Sequence, residues 1–458
     1  MSELQKSAGR THSSVKDMTV GNPYTQMLIF TLPVLLSQIF QQLYNTADAF
    51  IVGRALGTNA LAAVSSSGNL IFLMTSFFYG TAMGGGVVIS KYFGADKPER
   101  VSCAIHTLLA FGIVSGLFLT VTGVAFTPVF LRWMQTDPVV MPEAVEYFRY
   151  YFTGVVAMVM YTICCGIMNA LGDSRRPLYY LIISSLMNVA LDMLFLMGFH
   201  WGVWSAAVAT VISQAVSVML CMAHLLNKNN LFVVELKKIR FEKSILMEIL
   251  HYGVPSGIQN SMIGLANVVV QSQINRFGSL ATAAAGVHSK IEGFAFLPIL
   301  SFNMAGTTFV SQNLGAKKYE RAKKGAAFSI IATVLLAEGI GILHYTFAPA
   351  LVGLFDNTPG VVELGVRQAR TVTLFYFLLS FSHAVAAVCR GAGKAFVSMG
   401  VMLSVWCVVR VIYIVTVMQL TGNIGLIYWA YPLTWGISSV IYLIYYLKAD
   451  WVHGFETS

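Results

Sequence analysis

The sequence predicts an all-α membrane protein of twelve spanning helices, built as two six-helix repeats, and three observations carry that prediction. Apolar residues make up 56% of the 458 and charged residues 11%. The mean hydropathy of +0.69 lies far above that of a soluble globular chain. The apolar residues fall into separate runs, each long enough for the roughly 20 helical residues that a bilayer needs. Finally, SKYFGADKPERV at 90–101 returns 221 positions later as SQNLGAKKYERA at 311–322, with six of twelve letters identical. The same offset carries Gly85 onto Gly306, Gly172 onto Gly393 and, within one residue, Pro33 onto Pro255, so the duplication covers most of the chain. Internal duplication of a membrane bundle marks a secondary transporter, whose binding site lies between two repeats.

The elements follow in order. Residues 1–22 are a polar tail with no small-residue cleavage site, so the first span is retained. Spans are expected near 25–51, 61–89, 102–126, 147–170, 177–198 and 203–226, then near 248–274, 281–310, 325–348, 368–389, 395–418 and 425–447. These runs lack the short alternation of barrel strands, and an open sheet would leave backbone unsatisfied in lipid, so they are helices. The expected organisation is a first lobe at 23–226, a linker at 227–247, a second lobe at 248–447 and a tail at 448–458. The linker, NKNNLFVVELKKIRFEKSILM, alternates basic and apolar residues. It reads either as a short helix lying on the membrane face or as a solvated loop. With the N-terminus inside, 21 Lys and Arg fall on the cytoplasmic side against 6 outside, which places both termini and the linker in the cytoplasm of a cell inner-membrane protein.

The composition also excludes classes. The net charge of +9 is consumed by the loop bias, leaving no basic patch for nucleic acid. The six cysteines sit in or at the ends of spans as small apolar groups, without a CxxC or His-rich metal spacing. No segment is large enough for a soluble catalytic domain and no phosphate loop occurs, so no enzyme and no organic cofactor is expected. Transport is then driven by an ion gradient or by the substrate's own. The chain is read as a monomer whose partners are membrane lipid and small amphipathic molecules.

Chemistry is concentrated in the first half. Helix 1 carries Gln38, Gln41, Asn45 and Asp48 at steps of three, four and three, with Tyr44 beside them, which makes one polar face. Gln41, Tyr44 and Asn45 are candidate substrate contacts. Helix 5 carries Ser184, Asn188 and Asp192, and helix 6 carries Thr210, Gln214 and Ser217. Counting at ~1.5 Å per residue from the outer ends puts Asp48, Asp192 and Thr210 roughly 8–12 Å below the surface. A carboxylate at that depth is costly unless it is paired, protonated or bound to a cation. Two neighbouring carboxylates cannot both stay bare there, so the pair takes a proton or a monovalent cation on hard oxygen ligands. The alternative is that both simply hydrogen-bond neighbouring helices.

The second half has valine at 269 and 270, Val409, Tyr413 and Tyr431 at the positions matching Asp48, Asn188, Asp192 and Thr210. Architecture does not demand that difference, so the first half reads as the ion-coupling lobe. The second half has Lys290, Glu292, Glu338, His383 and Arg410 in its spans. Lys290 and Arg410 are candidates to meet an anionic group of a substrate, or else form internal pairs with Glu292 or a backbone carbonyl. Pro33, 15 residues before Asp48 on the same helix, is a candidate hinge.

The runs LPVLLSQIFQQLYNTADAFIVGRALG, NALGDSRRP, NVALDMLF, GVWSAAVATVIS and GVHSKIEGFAFLPI together resemble the multidrug and toxic compound extrusion (MATE) family, in its bacterial branch related to DNA-damage-inducible protein F and staphylococcal-type exporters. The resemblance implies two six-helix bundles in a V and export of amphipathic, often cationic compounds driven by H+ or Na+. It implies a cation site on Asp48, Asn188, Asp192 and Thr210, which would also hold Na+. A polar helix 4 ligand is implied too, here Thr162 at the gap-free position, with Asn169 nearer the cytoplasmic end. Helix 7 lacks the acidic residue of another branch, which argues against coupling through the second lobe. A flippase for lipid-linked oligosaccharide, of the same superfamily, is the alternative that Lys290 with Arg410 would favour. A major-facilitator transporter fits less well, because GADKPER lacks that motif's length and second glycine.

Overall fold

The computed structural model describes residues 16–133 and 136–456. Among them lie twelve helical rods. In the first half these are α1 (Pro23–Leu56), α2 (Thr58–Gly94), α3 (Pro98–Trp133), α4 (Met141–Thr153 and Val155–Ala170), α5 (Arg175–Gly198) and α6 (Trp204–Leu225). In the second they are α7 (Lys243–Asn275), α8 (Ser279–Gly315), α9 (Tyr319–Gly353), α10 (Pro359–Gly391), α11 (Ala395–Leu420) and α12 (Ile424–Lys448). Nine are long and apolar enough to cross a bilayer singly, and α4, bent by 50° at Gly154, is a tenth as a pair. The remaining two, α2 and α7, are 37 and 33 residues long and complete the two sets of six. Large apolar side chains such as Phe118, Val121, Leu335 and Ile412 lie exposed along the outer faces, as lipid-facing residues do.

The duplication reaches down to single contacts. Ser90 Oγ donates to the Ala170 carbonyl at 3.0 Å, and 221 residues on Ser311 Oγ donates to the Gly391 carbonyl at 2.8 Å. Gly172 and Gly393 both turn the chain with φ of +84° and +77°, a region that favours glycine because it has no Cβ. The rods pack by close approach. Gly112, Gly116 and Gly123 line α3, and a Cβ on any of them would overlap Ile163, Val156 or Phe152 of α4.

The compact units differ from the expected lobes. Among the described residues, one comprises 16–17 with Leu36–Val254, the other Met18–Leu35 with 255–456. This grouping cuts across the expected stretches 23–226 and 248–447: the first third of α1 packs with the second-half helices, and the first third of α7 with the first-half ones. The cause is local. Met27, Phe30 and Val34 of α1 bury against Ala305 and Phe309 of α8, while Gln312 and Asn313 at its end hold the backbone of Met18 at 3.0 and 3.3 Å. In the first unit, Lys91 and Tyr92 at the end of α2 hold Glu248 of α7 at 2.6 and 2.7 Å. The positions bear the same 221 offset.

Of the two readings of the linker, the structure takes the loop. Its last five residues, 243–247, open α7, and the stretch before them holds one 3-10 turn, at Leu236–Lys238. The rest is an ordered loop, pinned where His106 Nε2 accepts from the Glu235 N–H at 3.0 Å and Thr107 Oγ1 accepts from the Glu242 N–H at 3.3 Å. Asn-rich and β-branched residues there favour turns over helix. The six cysteines are free thiols.

Candidate cation site of the first unit

Asp48, Asn188, Asp192 and Thr210 converge from α1, α5 and α6. Asn188 and Asp192 are fully buried and Thr210 nearly so. The helical step of four puts Asn188 and Asp192 on one face, and the Asn188 amide links the two helices. Oriented to satisfy both ends, its Nδ2 donates to Asp192 Oδ2 at 2.9 Å and its Oδ1 accepts from the Thr210 N–H at 3.2 Å. Thr210 Oγ1 donates back to the Ala206 carbonyl at 3.1 Å, the usual way a membrane helix satisfies a hydroxyl. The Asp48 carboxyl faces that of Asp192 closely enough to share a proton. Tyr44, one turn from Asp48, points its hydroxyl to Thr210.

Two features set this cluster apart from ordinary helix packing. Neither carboxyl has a cationic partner among the described residues, and one oxygen of each, Asp48 Oδ1 and Asp192 Oδ1, is buried without a hydrogen bond. Buried carboxyl oxygens left unpaired carry a large desolvation cost, which a bound proton or cation removes. The chain also widens into a π turn at Met193–Gly198, directly after Asp192, and such turns gather at functional positions.

The other expected residues make different contacts. Gln41 Nε2 donates to Asn45 Oδ1 at 3.4 Å in an exposed contact on the face of α1 that carries Asp48. Thr162 donates to the Met158 carbonyl at 3.0 Å and meets Tyr79 beside a small cavity lined by Thr75, Phe78 and Ala82. The resemblance implied Thr162 as a helix 4 ligand, and its side chain meets Tyr79 and the Met158 carbonyl here. Tyr147 and Tyr151 of α4 are the α4 groups whose charge environment includes Asp48. They were missed, although their i, i+4 spacing at the outer end of helix 4 was a usable signal. Pro33 lies within α1, two residues before the chain passes from one unit to the other at Leu35–Leu36.

In the second unit Lys290 and Arg410 are not brought together. Lys290 is exposed, its ammonium 5.9 Å from the ring centre of Phe355. Arg410 is 2% exposed and donates through Nε and Nη2 to Thr434 Oγ1 at 3.2 and 2.9 Å. Glu338 accepts from the Phe377 N–H at 3.0 Å, and His383 stands edge-on between Phe296 and Trp406.

Comparison with known proteins follows the same division. A Bacillus subtilis protein described as probable multidrug resistance protein YoeA is 29% identical over 377 residues, 81% of each chain. A Shewanella oneidensis protein described as FAD transporter is 23% identical over 341 residues, 74% of this chain and 75% of the relative. A solved MATE structure described as being in the bent conformation superposes with a TM-score of 0.89 at 21% identity, covering 97% of this chain and 99% of that one. The family model described as MatE matches twice, at residues 33–194 and 255–416, one copy in each repeat. With both copies matched over more than half of its length, the chain belongs to the MATE family of membrane transporters.

Proposed function

We propose that this protein is a secondary antiporter that exports amphipathic, often cationic compounds in exchange for H+ or Na+ at the Asp48–Asp192 pair. The observation that carries this reading is the facing carboxyls of half-buried Asp48 and buried Asp192, neither with a cationic side chain beside it among the described residues, the latter tied by Asn188 to Thr210. Such a pair gains most from a cation when water is excluded, and loses that gain when the site opens to solvent. A proton would sit between the two carboxyls. A Na+ would take oxygens from Asp48, Asp192, Asn188 and Thr210. Cation binding favours the conformation with the polar cluster closed, and the outgoing compound favours the other, so the two fluxes are linked through populations.

The relatives' names support drug export, as in the Bacillus subtilis protein. The relative described as a FAD transporter carries an anionic cargo. Here the candidate substrate face of α1 holds Gln41, Tyr44 and Asn45 near a carboxylate, which suits neutral or cationic cargo. The flippase alternative rested on Lys290 acting with Arg410, and their separation removes that support. The loop bias of 21 to 6 supports cytoplasmic termini. Labelling of a cysteine at Lys237 from inside only would bear that out.

The test is transport by Asp48→Asn and Asp192→Asn in proteoliposomes. Each is expected to lose gradient-driven export while protein yield and substrate binding persist, and Tyr413→Phe is expected to stay close to wild type. Wild-type efflux with unchanged ion dependence in both Asp variants would overturn the assignment.

A further inference from the structure

The second unit holds a buried polar layer at the place in the repeat where the first holds its carboxylates. Val409 matches Asn188, so Arg410 is the next residue along α11; Tyr431 matches Thr210, and Thr434 matches Ser213 on the partner helix. Arg410 lies within this layer. Its guanidinium carbon is 4.9 Å from the ring centre of Trp406 and 4.8 Å from that of Tyr431, with Thr434 accepting from two of its nitrogens. Such faces hold cations, guanidinium best of all when water is excluded. A carboxylate is present as well. Glu292 of α8 is the acid whose charge bears on Arg410, and it accepts from the Tyr376 hydroxyl at 3.4 Å without forming a direct ion pair. Cys407 of α11 and His383 of α10 complete the titratable groups around the guanidinium.

Two further features repeat those of the first unit. A π stretch, Leu403–Val409, runs up to Arg410, as one leaves Asp192 in α5. Buried polar atoms without partners surround the layer: Nε2 of His383 and Nε1 of Trp435. The chemistry is nevertheless reversed in kind. The first unit has a carboxylate pair awaiting a mobile cation, whereas the second has a cation fixed by a covalent tether, and an arginine side chain keeps its charge at any physiological pH.

We propose that Arg410 is a built-in occupant: its guanidinium fills a monovalent-cation pocket in the second unit made by Trp406, Tyr431, Thr434 and Glu292, so that this unit holds a constant charge while the first exchanges one. Emptied of the tether, the pocket takes a free monovalent cation, with guanidinium-type organic cations preferred because of the aromatic walls. The contrast with the first unit rests on the function proposed above. The pocket itself does not.

The experiment measures binding of radiolabelled guanidinium, and of Na+ in competition, to purified full-length protein. The starting variant is D48N/D192N, which removes the carboxylate pair of the first unit. Adding Arg410→Ala is expected to raise guanidinium binding from background to one per chain and to restore thermal stability when guanidinium is supplied. Adding Glu292→Gln is expected to abolish that gain, and Arg410→Lys to give none. Should Arg410→Ala fail to fold, Arg410→Gln, which vacates the guanidinium position but keeps an N–H donor near that of Nε, is read by the same binding measurement. No gain in either Arg410 variant, or a gain indifferent to Glu292, overturns the proposal. If D48N/D192N itself retains wild-type Na+ or proton binding, the reading of the first unit fails, while the difference between the alanine and lysine variants still decides this one.

Discussion

Asn188 connects the two halves of the proposed cation site with one side chain, donating to Asp192 and accepting from the Thr210 N–H. Replacing it with valine, the residue at the matching position 409, would leave Asp192 Oδ2 without a donor. A buried polar group stripped of its partner costs about 1–3 kcal/mol, or roughly tenfold or more in an equilibrium constant. Asn188→Val is therefore expected to raise the half-saturating concentration of the coupling ion by about tenfold. Thr162→Val, which touches Tyr79 and Met158 instead, is expected to cost about 1 kcal/mol of stability and leave ion dependence unchanged. Ion titrations of transport in both variants check this, and equal shifts would return Thr162 to the site. The carboxylates were legible because a membrane helix seldom carries one without a use. The directions of Lys290 and Arg410 were not: sequence gives depth along a helix, but whether a long basic side chain reaches a cavity or folds under an aromatic ring depends on its neighbours' rotamers.

Among the elements, α1 and α7 are each shared by both units, and α1 is the one with a carboxylate past its handover. It carries Asp48 in one and packs Met27, Phe30 and Val34 in the other, with Pro33 just before the handover. Proline removes a backbone hydrogen bond and crowds the preceding turn, so bending costs least there. Pro255 stands at the matching handover of α7, but α7 bears no carboxylate beyond it, its one acid, Glu248, lying before the proline and held by Lys91 and Tyr92. Pro33→Ala, by restoring a hydrogen bond worth about 1 kcal/mol, is expected to slow turnover several-fold while substrate binding stays near wild type. Pro255→Ala should do less. Paired measurements of binding and counterflow decide it, and equal losses in both would end the case for a first-helix switch. All twelve rods were readable from apolar length and the repeat. The exchange of helix ends was not, because hydropathy marks where a helix crosses the membrane and not which neighbours bury its sides. The linker's settling as a loop likewise depended on tertiary anchors, His106 and Thr107, that lie over a hundred residues away.

At the scale of the molecule, one backbone plan repeated twice carries two different electrostatic fillings. The glycine turns, the Ser90 and Ser311 hydrogen bonds and the paired family matches all state the symmetry. The carboxylates of one unit and the buried arginine of the other break it. The 221-residue offset made that asymmetry visible in the sequence, since matching positions could be compared within a single chain. Competition between the outgoing compound and the coupling cation at the Asp48–Asp192 pair is the step on which the proposed function turns. Its most direct test is cation release on substrate addition: purified protein is loaded with protons or Na+, a cationic amphipathic dye is added, and released ion is measured in weakly buffered solution. Wild type is expected to release one of the two ions in proportion to dye bound, and D48N/D192N to bind dye and release none. Equal release from both proteins, or dye binding by wild type with no release of either ion, would contradict the claim.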